Sequence, residues 1–306
     1  MTPAGLRGVV CPVATPLRNG HLDEEAFRRH LSALLPTVAG IVVLGSSGQL
    51  ALLAPDVAAA AVEVALHECR DRIPVYVGAG DTSTARVALN LSRYSLDGAA
   101  GVLICGPYFQ QVSDEAFLLE HFLAAAEAAP VPVVLYNIPS AVGYSLSSQL
   151  VERLAGDPRI VGIKDSSGDL FLFQRYLGLQ NGTFAVMQGR EQLLSASAWL
   201  GAAGTVSALA NVVPTLLGAT IAATEAGDRD RSLQLQGSVT EVASLFDYGH
   251  WISALMAALS DLGFGSGEVS SPLPVLSAQE RRGVAAALRN PAIREFLIRP
   301  VEVADE

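Results

Sequence analysis

Residues 130–137 read Pro130-Val131-Pro132-Val133-Val134-Leu135-Tyr136-Asn137, and residues 159–169 read Arg159-Ile160-Val161-Gly162-Ile163-Lys164-Asp165-Ser166-Ser167-Gly168-Asp169. In both, a short apolar run ends in a polar residue and then in turn-forming chain. The hydrophobicity is continuous and does not alternate, which is how a strand buried on both faces reads. Similar runs begin near Val9, Ile41, Val75, Val102, Ala185 and Val206. Helical patterns lie between them. Phe27, Leu31 and Leu34 recur at intervals of four and three behind a capping Asp23, Pro55 opens another helix, and Ser83 caps a third that carries Val87, Leu91 and Tyr94. Eight strand signals, each followed by a helix, predict an α/β protein built as a closed (β/α)8 barrel of the TIM type, whose usual size is about 250 residues.

Beyond the barrel, helical periodicity continues over 228–262, a Gly/Ser/Pro loop spans 263–274, and a further helix is predicted over 278–288. The expected organisation is a barrel over 1–227 and a C-terminal helical extension over 228–306. A doubly wound sheet with a small helical domain is the competing architecture. The barrel is preferred because no linker-like break precedes residue 227.

With 306 residues, 50% hydrophobic and 16% charged, the chain is neither disordered nor low-complexity, and it can bury a large core. Its net charge of −10 opposes phosphate backbones and anionic lipid, so neither nucleic acid nor a membrane surface is an expected partner. An anionic ligand would have to be held by local hydrogen-bond donors. Residues 192–224 carry no charge, but Gly201, Gly204, Asn211, Pro214 and Gly218 break them into pieces shorter than the ~20 residues of a spanning helix. Cys11, Cys69 and Cys105 are far apart, which suggests reduced thiols in a cytoplasmic protein, packed as small core residues. No signal peptide is evident at the N-terminus. His21, His30, His67, His121 and His250 lack ligand spacing, no metal motif is present, and no nucleotide-binding glycine motif is found, so no cofactor is expected.

Among 20 basic residues a single one, Lys164, is a lysine. Every other cationic position is filled by arginine. An amine can lose its proton and attack a carbonyl, whereas a guanidinium essentially cannot. Lys164 ends the sixth strand signal, hence at the C-terminal mouth where barrel active sites lie. The structural alternative is a lysine that reaches out of the strand end to pair with Asp165. Two other mouth segments suit the chemical reading. Gly45-Ser46-Ser47-Gly48-Gln49 offers hydroxyls and backbone N–H groups to a carboxylate, although it also reads as an ordinary Gly/Ser turn. Tyr136 could relay a proton, or simply pack.

Several motifs, in order along nearly the whole chain, resemble the dihydrodipicolinate synthase / N-acetylneuraminate lyase family. They are Ala14-Thr15-Pro16, the 45–49 turn, Gly106-Pro107-Tyr108-Phe109, residues 136–143, residues 162–169, Gly189-Arg190 and residues 204–214. The resemblance implies a (β/α)8 barrel with a helical extension, assembled as a homotetramer (a dimer of dimers), in which a lysine forms an imine with pyruvate or another 2-oxo acid. Carried over, Lys164 is the imine-forming lysine and Tyr136 the proton shuttle. Ser46 and Ser47 hold the 2-oxo acid carboxylate, the backbones of Gly189 and Val206 line the pyruvate pocket, and Ser207 and Glu191 meet the distal part of longer substrates.

Three departures matter. Phe109 stands where the synthase has a tyrosine that reaches in from a neighbouring subunit, Ala141 where it has an arginine for the aldehyde's carboxylate, and Gln49 where glutamate is usual. The expected activity is therefore a Schiff-base lyase of the 2-keto-3-deoxy acid or 4-hydroxy-2-oxoglutarate aldolase kind, with an aldehyde partner. Authentic 4-hydroxy-tetrahydrodipicolinate synthase, a keto-deoxy sugar acid dehydratase and a catalytically degenerate 2-oxo acid binding protein are the alternatives. Arg190 reads either as an exposed residue at a helix start or as a contact for a distal anion.

Overall fold

The computed structural model describes residues 6–112 and 114–301. Its strands are β1 (Gly8–Pro12), β2 (Leu17–Arg18), β3 (His21–Leu22), β4 (Gly40–Val43), β5 (Val75–Gly78), β6 (Gly101–Cys105), β7 (Val133–Asn137), β8 (Ile160–Asp165), β9 (Ala185–Gln188) and β10 (Gly204–Val206). Eight of them close into a barrel in the order β1-β10-β9-β8-β7-β6-β5-β4, and every neighbouring pair is parallel. The small antiparallel pair β2–β3 stands outside it. The predicted closed (β/α)8 barrel is thus the observed fold, and the competing open sheet is not.

The uninterrupted hydrophobicity of the strands follows from this closure. Alternate side chains such as Val10, Val42, Tyr76, Leu103, Val134 and Met187 fill the lumen, with Leu6 buried among them. The residues between them, including Val9, Ile41, Val77, Ile104, Leu135 and Ile163, pack outward beneath the helices. Helix starts are set locally. Asp23 accepts from the Ala26 N–H at 3.2 Å to cap Glu24–Leu34, Ser83 caps Thr84–Arg93, and Pro55 occupies the first turn of Pro55–Cys69.

The charge-free stretch resolves into the helix Leu194–Trp199, strand β10 and the helix Pro214–Glu225. No helix among the described residues is long and apolar enough to cross a membrane. The last barrel helix, Pro214–Glu225, packs on Arg229–Ala243, so the expected division near residue 227 falls between two helices in contact. The expected run over 228–262 is two helices, Arg229–Ala243 and Trp251–Asp261. A 3-10 turn, Ser244–Asp247, and Gly249 at φ +73° break it, because periodicity reports which residues face the core but not where the backbone turns. The helix Ala278–Leu288 begins at a full capping box between Ser277 and Glu280. Cys11 and Cys69 are core residues as expected. Cys105 is half-buried and lines a cavity, since it ends β6 at the open end of the barrel.

Candidate active site

Parallel pairing places the central residues side by side. Tyr136 on β7 sits opposite Cys105 on β6 and Lys164 on β8, and Lys164 sits opposite Met187 on β9. All are at the C-terminal ends of their strands. Lys164 is only 5% exposed, and its Nζ lies 4.2 Å from the centroid of the Tyr136 ring. The Tyr136 hydroxyl is 3.5 Å from the Ser46 Oγ, which joins the turn after β4 to the same centre.

Lys164 makes no ion pair among the described residues. Its sequence neighbour Asp165 faces the other way, as alternation along a strand requires. There the Asp165 carboxylate accepts from Asn137 Nδ2 at 2.7 Å, Ser167 Oγ at 2.9 Å and the Ser167 N–H at 3.1 Å. Burial still leaves its pKa above the usual carboxylate value. The Asn137 Oδ1 in turn accepts from the Leu146 N–H at 3.0 Å. The surface pairing of Lys164 with Asp165 is therefore excluded.

Of the other residues expected at the site, Ser47 is buried beside Ser46 in the 45–49 turn, and Val206 is buried in the lumen at the end of β10. Gly189 follows β9. A Cβ there would stand 2.1 Å from Ser166 Oγ and 2.8 Å from the Asp165 carbonyl oxygen, so only glycine lets the turns after β8 and β9 meet. Ser207 donates to Glu191 Oε2 at 3.0 Å. Burial pushes the Glu191 carboxyl above its ordinary value, while the Ser207 hydroxyl and the charges of Arg190 and Lys164 pull the other way. Arg190 is exposed and its Nε donates to the Ser166 carbonyl at 2.9 Å, so part of its guanidinium is used in bracing the loop after β8.

A cavity of about 280 Å³ opens beside Tyr136 and Ser46, with Cys105, Tyr108, Ile138 and Ala141 among its walls. Burial raises the Tyr108 phenol to about 12. Phe109 is 85% exposed with φ +74° and is not among the residues that line this cavity. Lys164, Tyr136 and Ser46 form one polar centre, and Glu191 and Ser207 form a second. Sequence reasoning missed Asn137 and Asp165 as the pair that buttresses the strand ends. Their signal was a polar residue directly after both Tyr136 and Lys164, and the register that pairs them is visible only in the sheet.

A model described as the dihydrodipicolinate synthetase family matches residues 5–290. The chain is 30% identical over 286 residues to the 4-hydroxy-tetrahydrodipicolinate synthase of Syntrophus aciditrophicus, covering 93% of this chain and 98% of that one. It is 33% identical over 289 residues to an uncharacterized DapA-like lyase of Halobacterium salinarum, covering 94% of each. Among solved structures, a monomeric dihydrodipicolinate synthase variant superposes with a TM-score of 0.90 at 26% identity, covering 95% of this chain and 98% of that one. YagE, a prophage protein of Escherichia coli K12 solved in complex with pyruvate, gives 0.88 at 25% identity, with 94% and 99% covered.

Proposed function

Because this chain belongs to the dihydrodipicolinate synthetase family, matched over residues 5–290, we propose that it is a Schiff-base lyase that cleaves or forms a C–C bond next to a pyruvate unit. The observation that carries this reading is the one lysine of the chain, buried at the barrel mouth without an ion pair among the described residues and 4.2 Å from the Tyr136 ring. Neutral Lys164 attacks the C2 ketone of the 2-oxo acid, and the carbinolamine loses water as a proton is passed to its hydroxyl through Tyr136. The protonated imine withdraws electrons from C3. In the cleavage direction the C4 hydroxyl gives up its proton, the C3–C4 bond breaks and an aldehyde leaves. The remaining enamine takes a proton at C3, and water then releases pyruvate and the free amine. Ser46 and Ser47 hold the carboxylate, with the backbones of Gly189 and Val206 against the pyruvate unit.

The aldehyde half is read from Ala141 and from the Glu191–Ser207 pair. Ala141 offers no cation to a second carboxylate, and a buried hydroxyl–carboxyl pair suits a hydroxylated chain. A 2-keto-3-deoxy acid aldolase is accordingly our leading assignment, with 4-hydroxy-2-oxoglutarate as the related substrate whose distal carboxylate would fall to Arg190. Synthase activity is the second reading, favoured by the relatives that carry that name. Condensation of pyruvate with aspartate semialdehyde at a rate above that with hydroxylated aldehydes would establish it instead. We further assign the enzyme to the cytoplasm as a homotetramer.

Borohydride reduction in the presence of pyruvate, followed by intact-protein mass spectrometry, tests the core of the proposal. An adduct on the wild type and none on Lys164→Ala or Lys164→Arg is expected. Folded wild-type protein that gains no mass in excess pyruvate would overturn the Schiff-base reading and favour a degenerate or 2-oxo acid binding member.

A further inference from the structure

The carboxylate-gripping turn 45–49 is not held by the barrel alone. Its last residue, Gln49, has φ +62°, a left-handed conformation that L side chains rarely adopt. Yet its side chain is 2% exposed and engaged at both ends. Oε1 accepts from the Ser270 N–H at 2.8 Å, and Nε2 donates to the Thr15 carbonyl at 3.3 Å. Thr15 closes the loop by donating from its own hydroxyl to the Gly48 carbonyl at 2.9 Å.

Ser270 belongs to a strap in the C-terminal extension that is itself pinned along its length. Phe264 is buried with its ring 4.8 Å from that of His30. Ser266 Oγ donates to the Leu17 carbonyl at 2.8 Å, and the Glu268 carboxylate accepts from the N–H groups of Asn19 and Gly20 at 2.8 and 2.7 Å. The strap thus crosses the hairpin formed by β2 and β3 and ends on Gln49. A buried primary amide that joins two segments lying 34 and 221 residues away in the chain does more than fill space, because an unmatched carbonyl or N–H here would be left without water.

We propose that Gln49 is a positioning residue. Through it, the C-terminal strap and the loop after β1 set the height of the Ser46 and Ser47 hydroxyls, and so the affinity for the 2-oxo acid carboxylate. The proposal rests on the Schiff-base reading only for the identity of the ligand. Its consequence is that the extension acts on substrate binding at a distance from Lys164, and that it does so through KM and not through the chemistry of the imine.

The test uses the full-length chain with Gln49→Ala and Gln49→Glu. Glutamate keeps the acceptor for Ser270 but loses the donor to Thr15, so it serves as the milder variant if alanine lowers the yield of folded protein. Gln49→Ala should raise KM for pyruvate by about tenfold with kcat within about threefold, and Gln49→Glu should fall between it and the wild type. Hydrogen–deuterium exchange of the substrate-free protein should speed up together in peptides covering 44–50 and 264–271, with β7 and β8 unaffected. An unchanged KM, a loss confined to kcat, or exchange that rises in only one of the two segments would overturn the proposal. Should wild-type protein form no pyruvate adduct, the Schiff-base reading falls and the exchange result decides the positioning role by itself.

Discussion

Tyr136 and Lys164 share a lumen because β7 and β8 pair them directly, and at this scale the two side chains have separable jobs. Tyr136→Phe keeps the ring beside the Lys164 Nζ and removes only the hydroxyl. It should lower kcat by ~10²–10⁴ and slow imine formation, with little change in thermal stability or in KM for pyruvate, as stopped-flow and steady-state kinetics would show. Glu191 makes a different prediction. Its carboxyl is raised in the folded protein, mainly by burial, so the unfolded chain releases this proton at lower pH than the native one. The group therefore opposes folding progressively as pH rises from about 4.5 towards its folded value, and is neutral to stability below that window. Glu191→Gln keeps an acceptor for Ser207 and should melt higher than wild type at pH 7, with the difference vanishing near pH 4.

At the scale of elements, the site depends on how closely the turns after β8 and β9 approach. Gly189 lets the chain pass against the Asp165 carbonyl, and its own N–H donates to that oxygen at 2.7 Å. Gly189→Ala forces a Cβ against backbone that cannot yield as a flexible side chain would. It should lower stability by about 1–3 kcal/mol in denaturant titration and weaken pyruvate binding as the loop is displaced. Helix ends are less demanding. Ser277→Ala removes half of a capping box on an exposed helix of the extension and should cost about 1 kcal/mol without touching kcat.

Across the whole molecule, the extension and the barrel are tied through buried polar contacts as well as packed helices. His30, on the helix after β3, is 1% exposed, donates from Nε2 to the Asn211 carbonyl at 3.2 Å and packs with its ring tilted against Phe264 of the strap. Burial holds its pKa down at about 4, against 6.5 when unfolded. The neutral ring is the native form, so the stability it permits is complete above pH 6.5 and is lost as pH falls towards 4, by ~3 kcal/mol in all. His30→Leu should flatten that part of the pH–stability curve relative to wild type.

What the amino-acid sequence determined by itself is the alternation of elements and the single lysine that we propose as the nucleophile. Short runs such as 133–136 and 160–163, apolar on both faces and ended by a polar residue and turn-forming chain, can be satisfied only where a sheet is covered on each side, and eight of them in one chain leave the barrel as the simplest closure. Lys164 stood out because every other basic position is arginine. Only the tertiary structure decided which way each polar group faces and what it meets: Asp165 turned to Asn137 and away from Lys164, Glu191 joined to Ser207, and Gln49 tied to Ser270. Propensity, capping and periodicity act over a few residues, so they are legible in order along the chain. Register between strands, and hydrogen bonds between segments more than two hundred residues apart, are fixed by how the whole core packs.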